Sequence, residues 1–448
     1  MHCTDNRREV DLLVIGAGAA GLAAAVRAWD NGMHHVLLVD RDYSPGGILR
    51  QCIHTGFGLE YFKQDLTGPE YLVRLKREVE RRGIEIWSGT TAIGIEAGPE
   101  ASLISQARGV TRVAAKAVIL ATGSYERTRE NLQLAGTRPA GVFTAGQAQQ
   151  LINLYGYRIG ERVVIQGTGD IGLIMTRRLF LEGYEIAGVF ERLPFVAGLL
   201  RNRIQCLDDL AVEPRFEHQI VEIHGASRVS GVTAAKVKPE GENGRVSPVA
   251  GTERYIPCDT VVLSAGLLPN RELLGAHRNA VLSGALQTAV DGVFAAGNAV
   301  EIHDLADGAS AQGEFVADRA CEFLRDAEPR YAGERHRAGR FSSRWSIPAK
   351  DAQTDEVVCI VCPKGCVLSD RESGCRQGDE FLRRERLQKE RVLTTTSWAR
   401  TNGQAERVAL RSRMPLPFDD QPAIVRSIKR ETPDEHVFRT TPIGVRRV

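Results

Sequence analysis

A chain of 448 residues is longer than one ordinary hydrophobic core requires, so two or three domains are expected. With 58 Lys and Arg against 56 Asp and Glu, the formal charge of +2 offers no electrostatic footprint for nucleic acid or an anionic membrane. The opening MHCTDNRREV lacks a signal-peptide pattern and the apolar stretch from Leu12 to Val26 is short and broken by glycines, which predicts a cytoplasmic protein without a membrane span.

The first element is the organising one. Val10 to Ile15 form an apolar run suited to a buried parallel strand, followed by Gly16, Gly18 and Gly21 in the order GxGxxG, then a helix and the strand ending in Asp40. The first glycine permits the sharp turn, the second lets backbone approach a pyrophosphate, and the third lets helix and strand pack closely. Phosphates then sit at a helix N-terminus, where unpaired N–H groups and the dipole favour negative charge. Asp40, 19 residues after Gly21, is placed to accept hydrogen bonds from adenosine ribose hydroxyls.

The next stretch, RDYSPGGILRQCIHTGFGLE, is a loop in which Gly46 and Gly47 let backbone pass close to a flat cofactor. Gln51, Cys52 and His54 are its reactive side chains. Cys52 reads as a catalytic nucleophile or acid, or as a small buried packing residue; His54 reads as a proton shuttle or a loop stabiliser. Residues 69–82 have the period of an amphipathic helix. AVILATG, from Ala117 to Gly123, reads as a buried strand whose turn, with Thr122 and Gly123, faces a cofactor at the carboxyl edge of a doubly wound sheet.

The pattern then recurs. RVVIQGTGDIGLIMTRRLFLEGYEIAGVFER carries Gly167, Gly169 and Gly172, with Glu191 again 19 residues beyond the third glycine, and TVVLSAG ending at Gly266 parallels AVILATG. Whole nucleotide-binding units are therefore duplicated. A carboxylate at Glu191 hydrogen-bonds a 2′-hydroxyl and repels a 2′-phosphate, favouring NAD, while Arg192 beside it keeps NADP open. Farther on, DGVFAAGN gives a short strand ending in Gly297 and Asn298. A helical stretch from Gly308 follows, with His303 and Asp304 before it. Its positive end is expected to face the cofactor ring and favour an anionic reduced form, with His303 and Asp304 tuning the ring or capping the helix.

Residues 328–355 read as a linker. Beyond it Cys359, Cys362, Cys366 and Cys375 are spaced C-x2-C-x3-C-x8-C, and Pro363 and Gly365 supply the turn that three neighbouring thiolates need to converge. Four such sulfurs suit a [4Fe-4S] cluster or tetrahedral zinc, and the tight trio with a later fourth favours the cluster.

Together GAGAAG, AVILATG, GTGDIG, LSAGLLPN and GVFAAGN resemble the motif series of the two-dinucleotide-binding flavoproteins of the pyridine nucleotide-disulfide oxidoreductase superfamily. The resemblance, over roughly residues 8–327, implies an α/β fold of two Rossmann-like domains, the second inserted in the first, to which the cysteine segment adds a small cysteine-rich C-terminal domain. FAD belongs to residues 1–145 with 270–327, through Gly16, Gly18, Gly21, Asp40, Gly47, Gln51, Thr122, Gly123, Gly297 and Asn298. NAD(P) belongs to residues 146–269, through Gly167, Gly169, Gly172, Glu191 and Gly266. Asn298 stands where many relatives carry Asp, and no CxxC or CxxxxC occurs in the flavin domain, which disfavours a disulfide relay.

The loop GGILRQCIHTGFGLEYFKQDLTGPEY resembles the flavoprotein component found alongside anaerobic glycerol-3-phosphate dehydrogenase-like proteins, and more loosely the larger subunits of opine and sarcosine oxidases and hydrogen cyanide synthase. The segment VVCIVCPKGCVLSDRESGCRQGDEF resembles the short CxxCPxGC protein accompanying that glycerol-3-phosphate system and the cluster domain of many molybdopterin oxidoreductases. Residues 356–448 are accordingly expected to form an iron–sulfur or zinc domain. The implied function is passage of electrons between NAD(P)H and a partner flavoprotein dehydrogenase through that cluster, in an oligomer or complex. The alternatives are an amine, opine or hydroxy-acid dehydrogenase subunit oxidising substrate itself, and a zinc-stabilised docking platform.

Overall fold

The computed structural model describes residues 7–240, 245–278, 282–325, 357–361, 366–368, 375–401, 404–430 and 445–447. Their α-helices are α1 (Ala19–Asp30), α2 (Gly68–Arg81), α3 (Ala145–Asn153), α4 (Asp170–Leu181), α5 (Leu200–Cys206), α6 (Ala306–Arg325), α7 (Arg376–Leu387) and α8 (Gln421–Arg430). The chain divides into two compact units. The first holds 7–125 and 267–325; the second holds 126–266 and the described residues from 357 onward. The linker expected at 328–355 lies outside the described residues.

In the first unit the runs LLVI and VLLV are apolar at every position and buried on both faces, as central parallel strands require. The sheet runs Glu85–Trp87, Val36–Val39, Arg7–Ile15, Gly109–Leu120, Glu100–Ser105, Thr90–Glu96. On the side away from Arg7–Ile15 the long strand Gly109–Leu120 serves two further neighbours: residues 109–114 pair antiparallel with Glu100–Ser105, and 118–120 pair parallel with Val293–Ala295. Helices α1 and α6 pack backbone to backbone, because a side chain at Gly313 would strike the Ala20 carbonyl.

The second unit repeats the arrangement. Its parallel sheet runs Val142–Thr144, Thr260–Leu263, Arg162–Gln166, Glu185–Glu191, Arg215–Phe216. In each unit the elbow strand lies between the strand that ends in the acid and the strand returning from far along the chain. The unit begins at Glu126 rather than at 146, since Val142–Thr144 is a strand of its sheet.

The C-terminal segment departs most from expectation. Instead of standing apart, its described part packs on the outer side of α4 and the turn after α5, within the second unit. Leu393 and Val425 cover Leu181 in a small apolar cluster. Arg178, 5% exposed, donates to Asn153 Oδ1 at 2.9 Å, to Thr395 Oγ1 at 3.3 Å and Thr396 Oγ1 at 3.2 Å, and pairs with Glu182 at 2.7 Å. Arg391, among the most buried large side chains, forms forked pairs with Asp209 (2.7 and 3.1 Å) and Glu385 (2.6 and 2.8 Å). Two consecutive arginines on α4, Arg177 and Arg178, are thus covered by a layer drawn from residues 390–430.

Candidate functional site

The two elbows match atom for atom. Gly16 N–H donates to the Val39 carbonyl at 2.8 Å and Gly167 N–H to the Phe190 carbonyl at 2.7 Å. Both glycines have positive φ, +106° and +100°. A side chain on Gly16 would collide with the Ala121 carbonyl, and one on Gly167 with that of Ser264. Side chains on Gly21 and Gly172 would collide with the Gly16 and Gly167 carbonyls. These four glycines are required by the protein's own packing. The middle ones are different: a Cβ on Gly18 would meet nothing within 4 Å, and one on Gly169 only Ser264 Oγ at 3.9 Å.

Helix ends supply the second half of each cradle. Helix α2 is closed by a Thr67–Glu70 capping box, and Thr144 caps α3. Helices α1 and α4 begin at Gly18 and Gly169 with no side-chain cap. At α1 the uncapped first turn leaves its N–H groups for a pyrophosphate, whereas the first turn of α4 carries Asp170, whose Oδ1 accepts from Leu199 N–H at 2.8 Å and Asn202 Nδ2 at 2.7 Å, with Gly198 lying against it. The room over Gly18 and Gly169 fits the backbone of a dinucleotide in each elbow.

The acids close the turns. Asp40 accepts from Ala17 N–H at 2.7 Å and Asp42 N–H at 2.8 Å. Glu191 accepts from Thr168 N–H at 2.8 Å, Thr168 Oγ1 at 2.7 Å and Leu193 N–H at 3.0 Å. Each carboxylate thus ties the elbow to the loop beyond its strand. Burial pushes the Asp40 carboxyl above the usual range, against the pull of those two amides. Around them stand further expected residues. Gly47 approaches Gly18, where a Cβ would lie 3.4 Å from the Gly18 Cα. Thr122 Oγ1 donates to the Asn270 carbonyl at 2.6 Å, whose N–H donates to the Gly123 carbonyl at 2.9 Å. In the second unit the Gly266 carbonyl accepts from Arg127 N–H at 3.0 Å.

Asn298 Oδ1 accepts from His303 N–H at 3.0 Å, and the Gly297 N–H donates to the buried Gln312 Oε1 at 2.7 Å. Gln312 also bonds His303 Nε2 (3.2 Å) and Glu301 Oε1 (3.1 Å). The expected role of the α6 N-terminus changes here. Its first turn carries the buried Asp307, whose carboxylate accepts three amides of the loop Gly58–Tyr61, so the positive helix end already has a resident anion. Sequence reasoning passes over Asp307; its signal is an acid in a helix first turn, within D-x2-S-x3-E on one face.

Cys52 is buried, and burial alone pushes its thiol up to about 12. Gln51 is buried beside it, and His54 Nδ1 lies 3.0 Å from the Thr55 carbonyl. Of the cysteine cluster, Cys362 lies outside the described residues. Cys359 is buried against Leu368 and Leu382, its N–H donating to the Cys366 carbonyl at 2.7 Å. Cys366 and Cys375 are exposed, and Cys375 stands at the N-cap of α7. Among the described residues no three His, Cys, Asp or Glu side chains come together as a metal site. Nor is any described helix long and apolar enough to cross a membrane.

Comparison with known proteins agrees with this geometry. Residues 10–313 match the family described as pyridine nucleotide-disulphide oxidoreductase. The small chain of glutamate synthase [NADPH] from Escherichia coli strain K12 is 28% identical over 343 residues, covering 69% of this chain and 68% of that protein. An opine oxidase subunit from Agrobacterium tumefaciens strain Ach5 is 29% identical over 292 residues, covering 61% of this chain, and the match spans about half (55%) of that relative. The crystal structure of T. acidophilum thioredoxin reductase superposes with a TM-score of 0.57 at 21% identity, covering 71% of this chain and 100% of that one. Two uncapped elbows, each open at its middle glycine, and a family match running through both place the chain in the pyridine nucleotide-disulphide oxidoreductase family, as an FAD- and NAD(P)-dependent oxidoreductase.

Proposed function

We propose that the first unit holds FAD and the second NAD(P), and that the protein passes electrons between the nicotinamide and a partner dehydrogenase of the glycerol-3-phosphate dehydrogenase-like kind. The observation that carries this reading is the pair of open middle glycines, Gly18 and Gly169, each beside an uncapped helix start. When bound, the flavin supplies the conversion between hydride and single-electron transfer. The chain's own residues do the holding. The α1 amides would take the flavin's pyrophosphate and the open backbone at Gly169 would admit that of the nicotinamide dinucleotide, Asp40 and Glu191 would take ribose hydroxyls, and Gly297 and Asn298, braced by Gln312 and His303, would hold the flavin's polyol. The buried Glu191 carboxylate supports NAD over NADP.

A metal at Cys359, Cys362, Cys366 and Cys375, a [4Fe-4S] cluster ahead of zinc, rests on spacing alone. Relatives that are components of larger enzymes support work in a complex. The opine oxidase match also favours a second reading, in which the chain oxidises an amine or hydroxy acid itself. Anaerobic titrations separate the two. Bleaching of the flavin by NADH, with glycerol 3-phosphate and amino acids inert, supports the first; bleaching by one of those substrates without nicotinamide supports the second. Iron with acid-labile sulfide supports the cluster, whereas stoichiometric zinc without iron overturns it in favour of a docking platform.

A further inference from the structure

The loop from Gly47 to Tyr61 is tied to the first unit at both ends. It starts where Gly47 meets Gly18, the phosphate glycine. It finishes on α6, immediately after the Gly297, Asn298 and His303 network. The far anchorage is the stronger. Asp307, 3% exposed, accepts from Gly58 N–H at 3.0 Å through Oδ2, and from Glu60 N–H at 3.1 Å and Tyr61 N–H at 2.7 Å through Oδ1. Two more residues on the same helix face continue the seam at i+3 and i+7. Ser310 accepts from the buried Tyr71 hydroxyl at 2.7 Å and donates to the Ala19 carbonyl at 3.3 Å, and Glu314 accepts from the Tyr61 hydroxyl. The loop's Phe57 and Tyr61 rings pack with those of Phe62 and Tyr71. Gly58, at φ +79°, makes the turn that aims three amides, its own and those of Glu60 and Tyr61, at one carboxylate.

We propose that Asp307 is a positioning residue of the flavin site: by gathering the amides of residues 58–61 it fixes the loop from Gly47 to Tyr61 as a preformed wall, holding Gln51 and His54 in place for the bound flavin. This rests on the assignment of FAD to the first unit. Nothing in the wall needs the cofactor to build it, because every tie runs between protein groups. Its chemistry is that of a charge-assisted amide nest, in which both carboxylate oxygens must accept. An asparagine fills the same volume yet places an N–H₂ group against an N–H.

The test begins with wild-type holoprotein and flavin-stripped protein. Hydrogen exchange at Gly58, Glu60 and Tyr61 is expected to be slow in both; protection present only with flavin bound would overturn the proposal. Asp307→Asn is expected to speed exchange at those three amides, weaken FAD binding about tenfold or more, and change the shape of the bound flavin's visible spectrum. Asp318→Asn is the control, since Asp318 lies on α6 but pairs with Arg27 and Asn31; it should leave the loop and the spectrum unchanged. Equal FAD loss in both variants, or an unchanged spectrum and affinity in Asp307→Asn, contradicts the proposal. Should Asp307→Asn not fold, the wild-type comparison still decides. Wild-type protein that takes no FAD would instead defeat the cofactor assignment.

Discussion

Six elbow glycines look alike in sequence, yet a side chain meets different fates at each. At Gly21 an added methyl runs into the Gly16 carbonyl, so Gly21→Ala is expected to lower the melting temperature before any ligand enters the matter. At Gly18 and Gly169 the space is open. Gly18→Val is therefore expected to fold but purify without flavin, and Gly169→Val to keep its flavin but lose reduction by NADH; flavin content and melting curves check both. Cys52 makes a contrasting case. With its thiol pushed up to about 12 by burial, it stays neutral at pH 8, so alkylation should be slow and Cys52→Ala should retain NADH-driven flavin reduction within about twofold. Loss of that reduction, with flavin still bound, would restore Cys52 as a catalytic group. The glycines and acids were legible because one turn geometry fixes their offsets. Asp307 was not, because its partners lie 246 to 249 positions away and no local pattern announces them.

At the scale of elements, the C-terminal layer on α4 is what sequence reading missed. Arg177 and Arg178 look like a solvated helix face, and nothing local says that Thr395, Thr396 and Gln421 return to cover them. Arg391 holds the layer by joining Asp209 of one segment to Glu385 at the end of α7. Its removal strips Asp209 and Glu385 of their shared guanidinium, so Arg391→Ala should destabilise the second unit by about 3–5 kcal/mol in denaturant melts. A change below about 1 kcal/mol would show the layer to be loosely held.

The stability of the same layer is expected to depend on pH. Burial, and then Arg178, lower Lys429 to about 8, with Glu182 opposing and Arg407 adding to the repulsion. Because the unfolded chain holds that proton up to the ordinary lysine range, it binds more protons than the folded chain above pH 8, and stability should rise from there toward about pH 10. Lys429→Met should flatten this rise relative to wild type; an identical pH profile in the variant would refute the assignment.

For the molecule as a whole, the duplication is what made the fold readable. Strand, elbow, helix and acid recur at the same spacing, and each returning strand supplies the carbonyl that presses its first glycine, Ala121 in one unit and Ser264 in the other. Apolar runs such as LLVI and VVLS then have one place to go, the middle of a parallel sheet. The boundary at 125/126 was not readable in the same way, because Val142–Thr144 is a three-residue strand with no period of its own. The spacing of the cysteine segment was legible but its architecture was not, since its neighbours join it to the second unit through buried charges.

The central claim is that two separate dinucleotides, a flavin and a nicotinamide, work on this chain. Anaerobic addition of NADH to the purified flavoprotein tests it most directly. Rapid bleaching of the visible flavin absorption in wild type, with Gly169→Val retaining an oxidised flavin under the same conditions, is the predicted result; a wild-type flavin left oxidised by both NADH and NADPH would contradict it.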